Sequence, residues 1–284
     1  MTEDPVAYRQ RAREGWEAAA EGWDRHHRWW DAQTRAVSTW LVDAISPQPG
    51  QTVLELAAGP GDVGLLVAEL VRPGGKVVLT DGAEKMVEAA RRRAGERGLE
   101  DVVEARPMEA EWIDLPAAAV DAVVCRWGYM LLADPDAALR ETRRVLRPGG
   151  VVALAAWADA EANPWMTAAA QELDARGLAP PRDPDAPGPF AWADPDAIAE
   201  RLADAGFLDV AVDTVAFTIA YPDLDAWWDT QVDMSPTLRA VLAAADPAVR
   251  DELMEGAQAR VAGYVAEGGA VELPALTRVA RAEA

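Results

Sequence analysis

Two glycines and three carboxylates carry most of the chemical information in this chain. Gly59 and Gly61 stand within Val53-Leu54-Glu55-Leu56-Ala57-Ala58-Gly59-Pro60-Gly61-Asp62-Val63-Gly64. An apolar run with strand character precedes them, and a run with helical apolar spacing follows. Glycine lets a backbone turn sharply and lets a ligand approach it closely. Asp62 is placed to cap the helix, and the free N–H groups of its first turn would face whatever occupies the loop. Glu55 is an acid inside an apolar strand, where a buried charge is costly unless something pairs with it. Asp81 follows Gly59 by 22 residues and ends a second strand. That spacing suits a carboxylate accepting hydrogen bonds from ribose hydroxyls. Glu109 and Ala110 follow a third strand. Glu55, Asp81 and Glu109 would thus line the carboxyl ends of adjacent parallel strands, where open α/β sheets bind ligands. Alone, Gly59-x-Gly61-x-x-Gly64 is a weak dinucleotide fingerprint, because strand–Gly–helix turns also serve as plain connections.

The elements that must position these groups alternate regularly. Strands are predicted over 52–56, 76–80, 102–106, 121–126 and 151–157, and helices over 62–71, 83–97 and 134–146. Strands such as 120–125 and 151–156 are apolar on both faces, which indicates a parallel sheet covered by helices on both sides. Arg-Pro-Gly-Gly occurs at 72–75 and again at 147–150, each time between a helix and a strand, as equivalent connections. The predicted fold class is α/β, doubly wound and Rossmann-like. Residues 1–48 read as a helical N-terminal flap, 49–157 as the core, 158–194 as a loop or lid insertion rich in proline over 179–189, 195–221 as core again, 222–268 as a helical lid insertion, and 269–284 as a last core strand.

The motifs resemble those of the class I S-adenosylmethionine-dependent methyltransferases, in the branch similar to the ubiquinone/menaquinone biosynthesis enzymes. The matching stretches run in the family's order: Glu55-Leu-Ala-Ala-Gly59-Pro-Gly61, Asp81-Gly-Ala-Glu-Lys-Met86, Met108-Glu109-Ala110, Asp121-Ala-Val-Val-Cys125-Arg126 and Leu146-Arg147-Pro148-Gly149-Gly150. The resemblance implies a mostly parallel seven-stranded sheet with an antiparallel last strand. It implies S-adenosylmethionine as cofactor and S-adenosylhomocysteine as product. Glu55 would serve the methionine ammonium; Ala57, Gly59 and Gly61 would form the turn around the methionyl end. Asp81 would take the ribose, with Gly82 beside it. Met86 and Met108 would sandwich the adenine, and Glu109 and Ala110 would read its amino edge, Glu109 standing where Asp is usual. Arg126 would contact the methionine carboxylate or pair with a nearby acid, and Trp23 would join the set from the flap.

Oxygen and nitrogen acceptors often need a general base near the methyl group. His26, His27 and Tyr129 are the candidates. The histidines follow Trp23 in a segment where Trp16, Trp23 and Trp30 recur every seven residues and so share a face. They sit either at the edge of an aromatic stripe docked on the sheet or on a flap offering an imidazole to substrate. Tyr129 follows the fourth strand, where substrate should enter, or else is ordinary packing.

Composition narrows the function classes. The 284 residues hold 48 acids against 27 bases, a formal net charge of −21. Nucleic acid is an unsuitable partner, since phosphate neutralisation needs clustered Lys and Arg. The one basic run, Arg91-Arg92-Arg93, shares its helix with Glu84, Glu88 and Glu96 and reads as a solvated face. No apolar run is long enough to span a membrane, the N-terminus lacks a basic start, and the single cysteine, Cys125, excludes a disulfide framework. These features predict a cytoplasmic protein, monomeric or homodimeric, acting on a small, largely apolar acceptor by O-, N- or C-methylation, with no metal. A nicotinamide-dependent oxidoreductase shares the glycine loop and ribose acid, but its pyrophosphate fits poorly beside Glu55 and Asp62. A non-catalytic module with the same cofactor pocket is the third reading.

Overall fold

A computed structural model describes residues 4–179 and 186–284. Helices α1 (Pro5–Gln33) and α2 (Arg35–Ile45) lead into an alternation of strands and helices. This comprises β1 (Thr52–Glu55), α3 (Asp62–Leu70), β2 (Lys76–Asp81), α4 (Glu84–Glu96), β3 (Val103–Pro107), β4 (Val120–Arg126), α5 (Pro135–Val145) and β5 (Leu146–Trp157). Then come α6 (Pro164–Ala175), α7 (Pro195–Asp204), β6 (Leu208–Tyr221), α8 (Leu224–Met234), α9 (Pro236–Ala244), α10 (Pro247–Val261) and β7 (Val271–Glu283).

The seven strands form one sheet in the order β3-β2-β1-β4-β5-β7-β6. The first five run parallel, and β7 lies antiparallel between β5 and β6. Successive strands run outward from β1 in one direction and from β4 in the other, so the β1/β4 boundary is the topological switch point. Val53 and Leu54 on β1, and Val123 and Val124 on β4, are fully buried. The continuous apolar runs are what a sheet covered on both faces requires.

Three expectations are corrected. Residues 158–194 are not all loop or lid, because α6 buries Trp165, Ala168, Ala169 and Leu173 in the main core. Proline at its first turn starts that helix. Of the proline-rich stretch 179–189, residues 180–185 lie outside the described residues. The second Arg-Pro-Gly-Gly is not a connection like the first but part of β5, where Leu146 pairs with Val120 and the Gly149 N–H donates to the Ala284 carbonyl at 2.8 Å. Asp62 does not cap α3: Gly61 takes that position at φ +83°, and the Asp62 side chain is committed elsewhere.

Candidate active site

The loop between β1 and α3 is held in an unusual backbone. Ala57 (φ +49°), Gly59 (+52°) and Gly61 (+83°) all lie in the left-handed region, and so does Trp127 (+61°) at the end of β4. Such conformations cost free energy for residues with a Cβ and persist where the surroundings over-determine them. Here the surroundings are tight. A Cβ on Gly128 would lie 2.6 Å from both the Ala57 Cβ and the Cys125 sulfur, so the two strand ends at the switch point meet through a glycine. A Cβ on Gly64 would collide with Leu79 and with the Glu55 carboxylate. Gly64 is therefore required for packing α3 onto the sheet.

Glu55 is almost fully buried, and its Oε2 accepts the Gly64 N–H at 2.7 Å. Burial pushes its carboxyl up to about 8 against the pull of Arg126. Through that oxygen Glu55 fastens the first turn of α3. Arg126 is likewise occupied. It donates to Thr34 and Ser38 hydroxyls at 2.9 and 2.8 Å and to Asp62 at 2.5 Å. Pairing with a nearby acid, one of its two expected roles, is met by Asp62. Burial alone would raise Asp62, but Arg126 and Arg93 hold its carboxyl below the usual range. The network thus ties α2, the glycine loop, α4 and β4 together.

At the β2 end, Asp81 Oδ2 accepts the Gly59 N–H and Oδ1 the Ala83 N–H, both at 2.9 Å. Burial pushes its carboxyl up to about 6, the two backbone donors working against that. The Met108 N–H donates to the Asp81 carbonyl at 3.0 Å, bringing β3 alongside. Glu109 lies against Gly82, close enough that a Cβ there would sit 3.3 Å from Oε2. Met86 and Ala83 pack with Ala20 of α1 in a small apolar cluster that Trp16 and Trp23 flank. Ala110 is buried in the main core and Met108 packs against it.

Helix α1 covers these strand ends. The Tyr8 hydroxyl donates to the Leu131 carbonyl, Arg9 pairs with Glu111, and Arg13 pairs with Glu109. The Glu17 carboxylate accepts the N–H groups of Glu84 and Lys85 at the start of α4. Arg9, Arg13, Glu17 and Glu111 had no local sequence signal, since their partners lie 67 to 102 residues away.

The three candidate bases differ in their surroundings. Tyr129 is not at a substrate surface. It is 1% exposed, its hydroxyl bonds the Thr142 hydroxyl at 2.6 Å, its ring stacks on Trp192, and burial raises it above the ordinary phenol range. His26 bonds Asp233 of α8 at 2.9 Å. His27 donates from Nδ1 to the Asp24 carbonyl and lines a surface cavity of about 350 Å³ with Arg28, Asp31 and Arg35. Trp23 donates to the Met234 carbonyl at 3.2 Å while standing in edge contact with Trp16 and Trp30.

At the β2 and β3 ends the structure thus gathers two half-buried carboxylates, Asp81 and Glu109, with Met108 and Ala110 beside them in sequence. The strand order, with its antiparallel β7, is that of a Rossmann-like sheet of the methyltransferase type. Residues 54–154 match the model of a methyltransferase domain. The chain is 38% identical over 109 residues to the ubiquinone/menaquinone biosynthesis C-methyltransferase of Hahella chejuensis, a match covering 38% of this chain and 44% of that one. It is 32% identical over 185 residues to the nocamycin O-methyltransferase of Saccharothrix syringae, covering 62% and 66%. The chain thus spans less than half of the first relative's length. A structure described as a putative methyltransferase from Bacillus halodurans superposes with a TM-score of 0.57 at 19% identity, over 87% of this chain and 97% of that one, a likeness of fold. Residues 54–154 of this chain are a methyltransferase domain of the class I S-adenosylmethionine-dependent type.

Proposed function

We propose that the chain transfers the methyl group of S-adenosylmethionine to a small, largely apolar molecule. The observation that carries this reading is the half-buried Asp81 carboxylate at the end of β2, held by the glycine-loop N–H at 2.9 Å, with the Met108 N–H on its carbonyl and Glu109 against Gly82. Its relatives, a C-methyltransferase and an O-methyltransferase, support transfer to carbon or oxygen; nitrogen stays within the same chemistry.

The bound cofactor supplies an electrophilic methyl on a sulfonium, so the protein's work is positioning and exclusion of water. In this reading Asp81 accepts the ribose hydroxyls, with Gly82 leaving room beside it. Met86 and Met108 sandwich the adenine, while Glu109 and Ala110 meet its amino edge. Ala57, Gly59 and Gly61 shape the loop around the methionyl end, and Glu55 and Arg126 hold that loop in place. Trp23 and the rest of residues 1–48 form the flap, and residues 222–268 cover the acceptor side. With Tyr129 inside the core, His26 and His27 remain the candidate bases, His26 oriented by Asp233. The protein would act as a monomer or homodimer, without nucleic acid and in the cytoplasm. Among the described residues no helix is long and apolar enough to cross a membrane.

The test is incubation with methyl-labelled cofactor and fractionated small-molecule extracts, with RNA, DNA and protein as parallel acceptors. Label in a small-molecule fraction is the expected result; label only in a macromolecular fraction overturns the acceptor class. In parallel, S-adenosylhomocysteine should raise the melting temperature and NAD should not, because a ligand selective for the folded state stabilises it by mass action.

A further inference from the structure

Beside the switch point the core holds two hydrogen-bond donors with nothing to donate to. Trp30 on α1 is 1% exposed and Trp165 on α6 is 7% exposed, yet neither indole Nε1 has a partner among the described residues. A buried indole N–H usually finds an acceptor, and leaving one unmade is expensive. Other indoles in this tryptophan-rich core are satisfied. Trp127 donates to the Thr277 hydroxyl at 2.7 Å, Trp227 to the Trp165 carbonyl at 3.1 Å, and Trp29 to the Ala220 carbonyl at 3.0 Å.

The two orphans are neighbours, their ring centroids 5.3 Å apart. Both lie against Trp157, which ends β5, and Trp30 lies 5.6 Å from Trp127, which follows β4. Trp127 and Trp157 stack at 4.2 Å with their planes 9° apart. The orphaned donors therefore stand in an aromatic cluster at the carboxyl ends of β4 and β5, next to the strand ends that hold the proposed cofactor residues. The cation against this cluster, Arg126 at 4.9 Å from the Trp127 ring, is already committed to Asp62, Thr34 and Ser38.

We propose that Trp30 and Trp165 read the methyl acceptor, and that this acceptor is a flat, uncharged molecule bearing at least one carbonyl-type oxygen. The proposal rests on the methyltransferase reading for the place the acceptor occupies. Its chemistry follows from the donors. An indole N–H only donates, so the ligand group must accept, and one carbonyl oxygen has two lone pairs for two donors. Indole faces favour a planar ring system. A carboxylate would be stripped of water there, and Arg126, the cation against this cluster among the described residues, is already paired, which selects a neutral oxygen. Trp30 and Trp165 sit on different helices, so a molecule entering between them parts α1 from α6 and leaves the sheet intact. A site built to bond an oxygen rejects the analogue lacking it, because its donors are then left unpaired.

The experiment uses the full chain carrying ¹⁵N-labelled tryptophan, saturated with S-adenosylhomocysteine. The probes are 9-fluorenone and fluorene, which share a flat frame and differ in the ketone. Trp30→Phe and Trp165→Phe assign the two indole cross-peaks and remove each donor while keeping an aromatic ring. Fluorenone should shift both cross-peaks and bind about tenfold more tightly than fluorene, and each variant should reduce that preference to about threefold or less. Equal binding of the two probes, binding of neither, or unmoved Trp30 and Trp165 peaks overturns the proposal. The two-probe comparison on the unaltered chain decides the matter even where a variant fails to fold. S-adenosylhomocysteine binding with unmoved peaks sinks this inference alone, whereas no binding of S-adenosylhomocysteine sinks the methyltransferase reading and this inference with it.

Discussion

Asp81 is a half-buried carboxylate that accepts two backbone N–H groups. Lone pairs remain for ligand hydroxyls, and charge-assisted bonds of that kind are the strong ones. Asp81→Ala should weaken S-adenosylhomocysteine binding by on the order of 3 kcal/mol, more than a hundredfold, measured by calorimetry. A loss under about fivefold would remove Asp81 from the site. Because burial lifts its carboxyl to about 6, the ionised form that accepts those hydroxyls is lost below that pH. Affinity should be level above pH 6 and fall with increasing acidity beneath it. Glu55 makes a separate prediction about stability. Its folded carboxyl lies near 8 against an ordinary value of 4.5, so between those limits the folded chain binds more protons than the unfolded one. The contribution is present below pH 4.5 and lost as pH rises through 8. Asp62, shifted downward, acts only on the acid side of its ordinary value and leaves this window alone. Glu55→Gln keeps an acceptor for Gly64, and it should flatten the decline in denaturant stability between pH 5 and 8. An unchanged slope would show that Glu55 ionises freely.

At the scale of elements, α1 is the part whose placement matters most, since it lies across the strand ends. Its ion pairs Arg13–Glu109 and Asp24–Arg92 are partly exposed, and such pairs contribute little stability. The close fit comes from Gly22, where a Cβ would collide with the Asp233 carbonyl at the end of α8. Gly15, in the same helix, would meet only Pro236 carbons at 3.6 and 3.9 Å. Gly22→Ala should therefore destabilise by about 1–3 kcal/mol and speed amide exchange along residues 5–33, through overpacking. Gly15→Ala should be neutral or stabilise by up to about 1 kcal/mol, because alanine is the better helix former. Equal effects from the two would mean that α1 does not cross α8 at Gly22.

At the scale of the molecule, a net charge of −21 on 284 residues repels itself. Salt screens that repulsion over a Debye length of about 10 Å at 0.1 M. The melting temperature should accordingly rise between 0.01 and 0.3 M sodium chloride, and a fall would show that the exposed ion pairs outweigh the repulsion. The same charge should prevent a mobility shift with duplex DNA or RNA at low salt.

The parallel core was legible because its signals are local. Val53 to Gly64 encodes strand, turn and helix within a dozen residues, and period and punctuation repeat down to Trp157. The positions of Asp81 and Glu109 at strand ends follow from that alternation, which is why the acids could be named from spacing. What the chain's order could not determine is where side chains spend their hydrogen bonds. Arg126 meets Asp62 across 64 residues, and Glu55 accepts the Gly64 N–H of the following helix. Tyr129, read beside a strand end, is inside the core because Thr142 and Trp192 close over it. The segment from 164 to 175 was obscured by the prolines around it, although its buried tryptophan anchors a helix. Local pattern fixes secondary structure because it acts through near neighbours on the backbone. The pairing of buried polar groups is settled only by packing, since each must find a partner among whatever residues the tertiary fold brings within about 3 Å.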